Sequence, residues 1–185
     1  MTRRPAIFAA ALASVLLAAP ASAYTDEKTG FAVKPPKGFV ASQSSHRAHD
    51  AAIVINSLTK KTASANADGT LCKAAYKNAP QNNALTREQI NAMFKVEERV
   101  NLVKSYLTRI FEVLQTRKFT HQGYTSLEFV SRPKYGSNHE NVRSFISIIE
   151  TVKGRATITC VTTGDEIKAA LPVFRAIRAR MNVPR

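Results

Sequence analysis

The chain is poor in the residues that build metal centres and cross-linked scaffolds. Among 185 residues there are two cysteines, Cys72 and Cys160, and four histidines. Two thiols cannot make a disulfide-dense scaffold, and the segments LCKAAY and ITCVT offer too few ligands at short spacing for zinc. Glycine is scarce at seven, and Gly123, Gly136 and Gly164 do not form a phosphate-cradling loop. The G-x-S-x-G, Walker and H-E-x-x-H patterns of common hydrolases, nucleotide binders and metalloproteases are absent. Internal repeats and low-complexity tracts are missing too. Past Ala23 there is no second long apolar run, so the remaining chain is expected to be soluble. Acidic residues are outnumbered, 13 against 27 basic.

What is present begins with the first 23 residues, MTRRPAIFAAALASVLLAAPASA. Arg3 and Arg4 supply a positive start, Ala6 to Ala19 an apolar run, and Ala21-Ser22-Ala23 a small-residue cleavage site. This is the three-part pattern of a signal peptide. The apolar run of about 14 residues is too short to span a hydrocarbon core of roughly 30 Å. Thr2-Arg3-Arg4 resembles the start of a twin-arginine signal, but the following residues do not complete it. Tyr24 would become the new N-terminus, and it gives no lipid attachment point. The reading is a leader over 1–23, cleaved near Ala23, and a single domain over 24–185, released to the periplasm or secreted. A domain of that length can bury its own core without metals or many cross-links.

In an oxidising compartment, two cysteines read as one disulfide, Cys72 to Cys160. The rival roles are weaker. A nucleophilic thiol needs a base placed by the fold, and no local pattern supplies one. The bridge would close a long loop, for which the chain-entropy account assigns roughly 4–5 kcal/mol at most.

Loss of Arg3 and Arg4 with the leader leaves 25 basic against 13 acidic residues, a net of +12. Such a surface attracts polyanions and anionic membranes. The charge is dispersed, with short clusters such as Lys60-Lys61 and Arg117-Lys118. No basic groove interleaved with aromatics is visible, and export argues against nucleic acid as a partner. Lys168, Arg175 and Arg178 are the candidate anion-binding residues. They are read as lying off the apolar stripe of a C-terminal helix, facing solvent.

The pattern along the chain alternates short strands with polar turns, then changes to helix. GFAVKPPKGFV, Gly30 to Val40, reads as two short strands around Pro35-Pro36, and Ala41 to Asp50 as a polar loop. Ala51 to Leu58 and Leu71 to Tyr76 read as strands, with Cys72, Ala74 and Tyr76 on one face. Asn78 to Leu85 is an irregular connector. Thr86 and Gln89 form a capping box that starts a helix. Ile90, Met93, Val96, Val100, Val103, Leu107 and Ile110 follow at helical spacing as a core stripe, with a break near Phe94 to Lys95. Phe111 to Phe119, Gly123 to Ser131, Asn141 to Val152 and Arg155 to Thr163 read as strands. The last two join at a tight Lys153-Gly154 hairpin. Thr163 and Glu166 offer a second capping box. A helix follows with Ile167, Leu171, Phe174, Ile177 and Met181 on one face, and Pro172 is expected to kink it or to begin a second helical piece. Grouped strands rather than alternating strands and helices argue an α+β fold with a largely antiparallel sheet flanked by helices.

That order, with GFAVKPPKGFV near the start and GRATITCVTTGDEIKAALPVFRAIRARM at the end, resembles the PsbP/Mog1-like fold. The residues that carry the likeness are Phe31, Pro36, Gly38 and Phe39, then Phe174 and Ile177. The resemblance implies an α-β-α sandwich and a binding or assembly role rather than catalysis. It carries no catalytic or ligand residues over to this chain, because fold does not transfer function.

Other constellations are weak. His46, His49 and Asp50, in HRAHD, lack helical context and a third metal ligand. His121 and His139 read as exposed turn residues. Glu97 and Glu98 read as helix-surface charges, and Glu128 and Glu150 as sheet-surface salt-bridge partners. An acid–base pair would need two such carboxylates facing each other in a cleft. No catalytic residue, cofactor or metal is expected. The function expected is a non-catalytic, exported binding or accessory protein engaging another envelope protein or a small ligand. The alternative is a cationic binder of anionic envelope polymers or lipid headgroups. An enzyme with a dispersed site is the third reading.

Overall fold

The computed structural model of the protein describes residues 22–45, 47–59, 64–66 and 68–185. The leader and its cleavage site therefore lie almost wholly outside the described residues, as do Lys60-Lys61 and His46. The elements are β1 Tyr24–Thr25, β2 Ala32–Val33, β3 Phe39–Ser44, β4 Ala51–Ser57, β5 Cys72–Asn78, α1 Arg87–Lys95 and α2 Glu97–Leu107. They continue with β6 Phe111–His121, β7 Tyr124–Pro133, β8 Val142–Glu150, β9 Gly154–Thr163, α3 Ile167–Ala179 and β10 Met181–Asn182. Short 3-10 turns, Pro80–Ala84 and His139–Asn141, fill two connections. Among the described residues no helix is long and apolar enough to cross a membrane.

The main sheet has seven strands in the order β3-β4-β5-β9-β8-β7-β6, every pair antiparallel. A small sheet, β1-β2-β10, ties the start of the domain to its end. Period-two alternation divides the side chains between two faces. On one face Ile53, Ile55, Ala74, Tyr76, Phe145, Ile149 and Ile158 bury under α3 and the small sheet, against Phe31, Phe174 and Ile177. On the other, Leu127, Phe129 and Ile146 bury under α1 and α2, against Ile90, Phe94 and Val100. The result is the expected α+β sandwich with a layer on each side of the sheet.

The disulfide is the expected one. Cys72 and Cys160 lie directly opposite on β5 and β9, with 4.0 Å between their Cα atoms and 88 residues between them in sequence. Val161 N donates to Leu71 O in the adjacent pair, so the cysteines occupy the closer, non-hydrogen-bonded site of the ladder. The bridge is fully buried in the first core.

Local sequence explains several boundaries. Thr86 Oγ1 accepts from Gln89 N while Gln89 Oε1 accepts from Thr86 N, so the capping box forms as read. The helix breaks at Val96, which is extended (φ −74°, ψ 127°) and separates α1 from α2. The break shifts the phase of the apolar stripe. Ile90 and Val100 are buried, but Val96 and Ile110, expected in the core, are 49% and 56% exposed. Gln122-Gly123 both take positive φ, 48° and 84°, the geometry of a two-residue hairpin turn between β6 and β7. Gly154, in the β8–β9 hairpin, serves a different need. A Cβ there would lie 2.3 Å from the Lys77 carbonyl oxygen and 2.7 Å from the Tyr76 hydroxyl, so only glycine lets β9 approach β5.

Three expectations change. Ala41 to Ser44 is not loop but the body of β3, an edge strand paired in register with β4. Its Ser42 and Gln43 are exposed and Ser44 half-buried, and polarity there is no bar to an edge strand. The Thr163–Glu166 capping box does not form: Glu166 is itself the cap residue of α3, and its carboxylate accepts from Thr162 Oγ1 at 3.1 Å. Pro172 neither ends nor splits α3, which runs through it. It forfeits the bond to the Lys168 carbonyl on the exposed side of the helix, where water can replace it.

Candidate functional site

The two helical layers do not cover the sheet equally. Over β4, β5 and β9, no helix among the described residues buries the face opposite α3. Ala52, Val54, Asn56, Ala75, Thr157 and Thr159 are half-buried there, and Lys73 and Lys77 are exposed. Both lysines have partners: Lys73 Nζ lies 2.9 Å from Asp68 and Lys77 Nζ 3.6 Å from Asp50. The hydrogen bond from Lys73 and that from Thr70 N hold the Asp68 carboxyl down to about 2.

Along the border of this bare face runs a groove of about 420 Å³. Phe94 of α1, Arg99, Leu102, Val103, Tyr106 and Leu107 of α2, Ile148 of β8 and Arg155 of β9 line it. Arg99, Leu102, Val103 and Tyr106 follow at i, i+3, i+4 and i+7, so one stripe of α2 faces the groove. Leu102 and Tyr106 are 44% and 59% exposed, an apolar surface that no element among the described residues covers. The polar groups are cationic. Arg155 Nε donates to Glu150 Oε2 at 2.7 Å, and Glu150 also accepts from Asn82 Nδ2 at 2.9 Å. Arg99 differs: its Nε is buried and has no hydrogen-bond partner. Arg109 rests its guanidinium on the ring of Tyr106, 5.2 Å from the centroid. None of the lining residues is acidic.

The residues singled out in the sequence as anion-binding sit elsewhere, on α3. Lys168 is exposed and stands apart from the other two. Arg178 does not face solvent: it is 9% exposed, and the helical reading that placed it off the apolar stripe is overturned. It sits four residues after Phe174 and three before Met181, on the buried side. Arg175 Nη2 and Arg178 Nη1 converge on the two oxygens of Glu128, at 2.6 and 2.5 Å. Arg178 also stacks on Phe119, with Cζ 3.6 Å from the ring centroid. Burial pushes the Glu128 carboxyl up, but the hydrogen bonds from Arg175 and Arg178 outweigh it and hold the group below its ordinary value. Both guanidiniums are thus engaged in fastening α3 to β7. A shallow cavity beside them, lined by Gln115, Thr116, Arg117, Val130 and the same ion pair, leaves Arg117 exposed at its mouth.

The remaining candidates disperse. Glu128 and Glu150 are 2% and 3% exposed rather than sheet-surface charges. They lie on opposite faces, because Glu128 registers with Ser147, three residues from Glu150 on β8. They therefore cannot form an acid–base pair. Glu97 and Glu98 are exposed on α2. His121 is buried, not exposed. Burial lowers its basicity, and its Nε2 lies 3.1 Å from Met181 O, so the neutral ring donates to the small sheet. His139 is half-buried rather than exposed, with Nδ1 3.0 Å from Gly136 O. Asp50 is turned to the backbone N–H of Asn78. Among the described residues no group of three His, Cys, Asp or Glu side chains could hold a metal. The groove residues Arg99, Leu102 and Tyr106 were not singled out in the sequence. Their signal is a second i, i+3, i+7 row beside the core stripe of α2.

No protein-family model and no curated protein matches the sequence. Solved structures do. The structure of PsbP from the cyanobacterium Synechocystis sp. PCC 6803 aligns with 93% of this chain and 98% of its own, at 16% identity and a TM-score of 0.56. LpqN of Mycobacterium tuberculosis, described as involved in cell envelope biogenesis, aligns over 91% of this chain and 88% of its own, at 11% identity and 0.48. A Pseudomonas aeruginosa protein of unknown function aligns over 89% and 96%, at 11% and 0.45. The last two scores are too low to argue from. The match to cyanobacterial PsbP spans nearly the whole of both chains, and this protein has the PsbP/Mog1-like fold.

Proposed function

We propose that the protein is an exported, non-catalytic binding protein, and that the groove beside α2 is its binding site. The observation that carries this reading is Arg99: a guanidinium with a buried, unpartnered Nε, above a floor of Phe94, Val103, Leu107 and Ile148. A buried donor without an acceptor costs free energy in the unliganded state, about 1–3 kcal/mol for a typical group. A bound molecule that accepts from it recovers that cost. The groove volume lies in the range of small-ligand sites, and the combination of apolar walls with few polar groups is typical of them. Export is supported by the leader pattern of residues 1–23 and by the buried disulfide, which persists in oxidising compartments. The accessory character is supported by the scatter of the carboxylates and histidines, which leaves no converging acid, base and nucleophile among the described residues.

The test is a fragment screen followed by backbone amide resonances. Fragments that bind are expected to shift residues of α2, β8 and β9 together. Binding that maps instead to β6 and α3, or to no common place, would overturn the assignment.

A further inference from the structure

We infer that the ligand of this groove is a single-chain anionic amphiphile, a fatty carboxylate. The inference rests on the groove being the binding site. Its chemistry is divided lengthwise. Phe94, Val103, Leu107 and Ile148 form an apolar floor, and Leu102 and Tyr106 stand beside it as partly exposed apolar walls. The charged residues that line it are both basic. Arg99 and Arg155 line it, and Arg109 stacks on the ring of Tyr106.

The two lining guanidiniums are not equivalent. Arg155 is already paired with Glu150, whose other oxygen accepts from Asn82. Arg99 has no ion-pair partner among the described residues, and its Nε is shut away from water. A cation in that state takes a carboxylate in preference to a neutral hydroxyl, because a charge-assisted hydrogen bond is about twice as strong as a neutral one. The floor then takes an apolar tail. A small hydrophilic anion would leave Leu102 and Tyr106 uncovered, and a neutral apolar molecule would leave the Arg99 donor unmet. A cationic amphiphile would meet two guanidiniums in the lining, and the one carboxylate beside them, Glu150, is buried and already taken by Arg155 and Asn82. The anionic amphiphile satisfies floor, wall and charge together.

The experiment uses the disulfide-bonded domain and three probes below their micelle-forming concentrations: decanoate, decyltrimethylammonium and acetate. Decanoate is expected to bind and to shift the amides of Phe94, Leu102, Val103 and Ile148. Decyltrimethylammonium, with the same tail and the opposite charge, is expected to bind at least about tenfold more weakly, and acetate not measurably. Arg99→Met keeps the apolar stem on a half-exposed helix position. With its thermal midpoint unchanged, it is expected to lower decanoate affinity about tenfold and to erase the preference over the cation. Equal binding of the two long-chain probes in the groove would overturn the anionic class and leave the groove standing as a binding site. So would an Arg99→Met variant with full preference. Long-chain probes that bind without touching α2 or β8 would overturn both. Groove resonances that move with protein concentration alone would mean a second copy occupies it, and would overturn the amphiphile.

Discussion

Arg178 of α3 and Glu128 of β7 form a buried ion pair, with 2.5 Å between nitrogen and oxygen and side chains 11% and 2% exposed. Fifty residues of chain separate the two. Their meeting fixes the long axis of α3 over the sheet, with Phe119 stacked against the guanidinium and Arg175 closing the second oxygen. Buried pairs add little net stability compared with an apolar substitute, but breaking one is costly because a charge is left buried alone.

That asymmetry sets the first expectation. Glu128→Ala leaves Arg178 in place without its acceptor, and should lower unfolding free energy by about 3–5 kcal/mol. Arg175→Ala should cost much less, since Arg175 is a third exposed and water screens its contribution. Urea unfolding of the two variants at neutral pH checks the order. Equal losses would mean the pair does not work as described.

The same pair predicts an acid dependence. The folded carboxyl of Glu128 sits below its ordinary value of 4.5. The unfolded chain therefore binds this proton at higher pH than the folded chain does. The stability contributed is present above about 4.5 and is lost as pH falls through the folded value. A Glu128→Gln variant should lose stability at neutral pH and show a shallower decline below pH 4.5 than the unaltered protein. Parallel acid limbs would show that Glu128 does not carry the dependence.

His121 works in the same direction from a higher starting point. Burial lowers its value from the ordinary 6.5, so the folded state holds it neutral while the unfolded state takes up a proton. Stability is then full above about 6.5 and declines as pH falls from there toward the folded value. His121→Gln should flatten that part of the curve. Unfolding free energies measured between pH 7.5 and pH 5 decide it.

How much of this could be read beforehand follows from where each signal is stored. Signals local in sequence were legible. They include the Thr86–Gln89 box, the break beside Lys95, the period-two run around Cys160 and the Lys153-Gly154 turn. The reason for Gly154 was not, since it lies in the Lys77 carbonyl on another strand. Arg178 was half legible: its spacing from Phe174 and Met181 places it on the buried face, but a positive charge there makes no sense until Glu128 is found across the sheet. The polar strand β3 looks like loop in the sequence because an edge strand needs no apolar alternation. The groove was the least legible, because Val96 resets the helical phase and turns Leu102 and Tyr106 outward.

The disulfide makes a prediction that separates compartment from fold. Intact mass of the oxidised protein should be two hydrogens below the reduced form, and no thiol should alkylate even in the unfolded chain until a reductant is added. Replacing both cysteines with alanine should cost up to about 4.5 kcal/mol on the chain-entropy account, less where the unfolded chain keeps some structure. Two free thiols in protein recovered from an oxidising compartment would refute the pairing.

The last expectation concerns the mobility of α2, on which the groove depends. α1 begins with a complete capping box and buries Ile90 and Phe94. α2 begins at extended Val96 with no side-chain cap and fully buries only Val100. A missing cap costs a helix about 1 kcal/mol, and a helix that buries one residue gains little from packing. Local opening follows the least-buried elements first. Amides of α2 should therefore exchange faster than those of α1, at an opening free energy below that of the whole domain. A ligand that covers Leu102 and Tyr106 and accepts from Arg99 should slow α2 selectively, leaving α1 and the sheet unchanged. Exchange slowed evenly across the domain would point to a stabiliser that binds elsewhere. Exchange in α2 as slow as in α1 without any ligand would mean that the helix is held by contacts other than those seen at Val100.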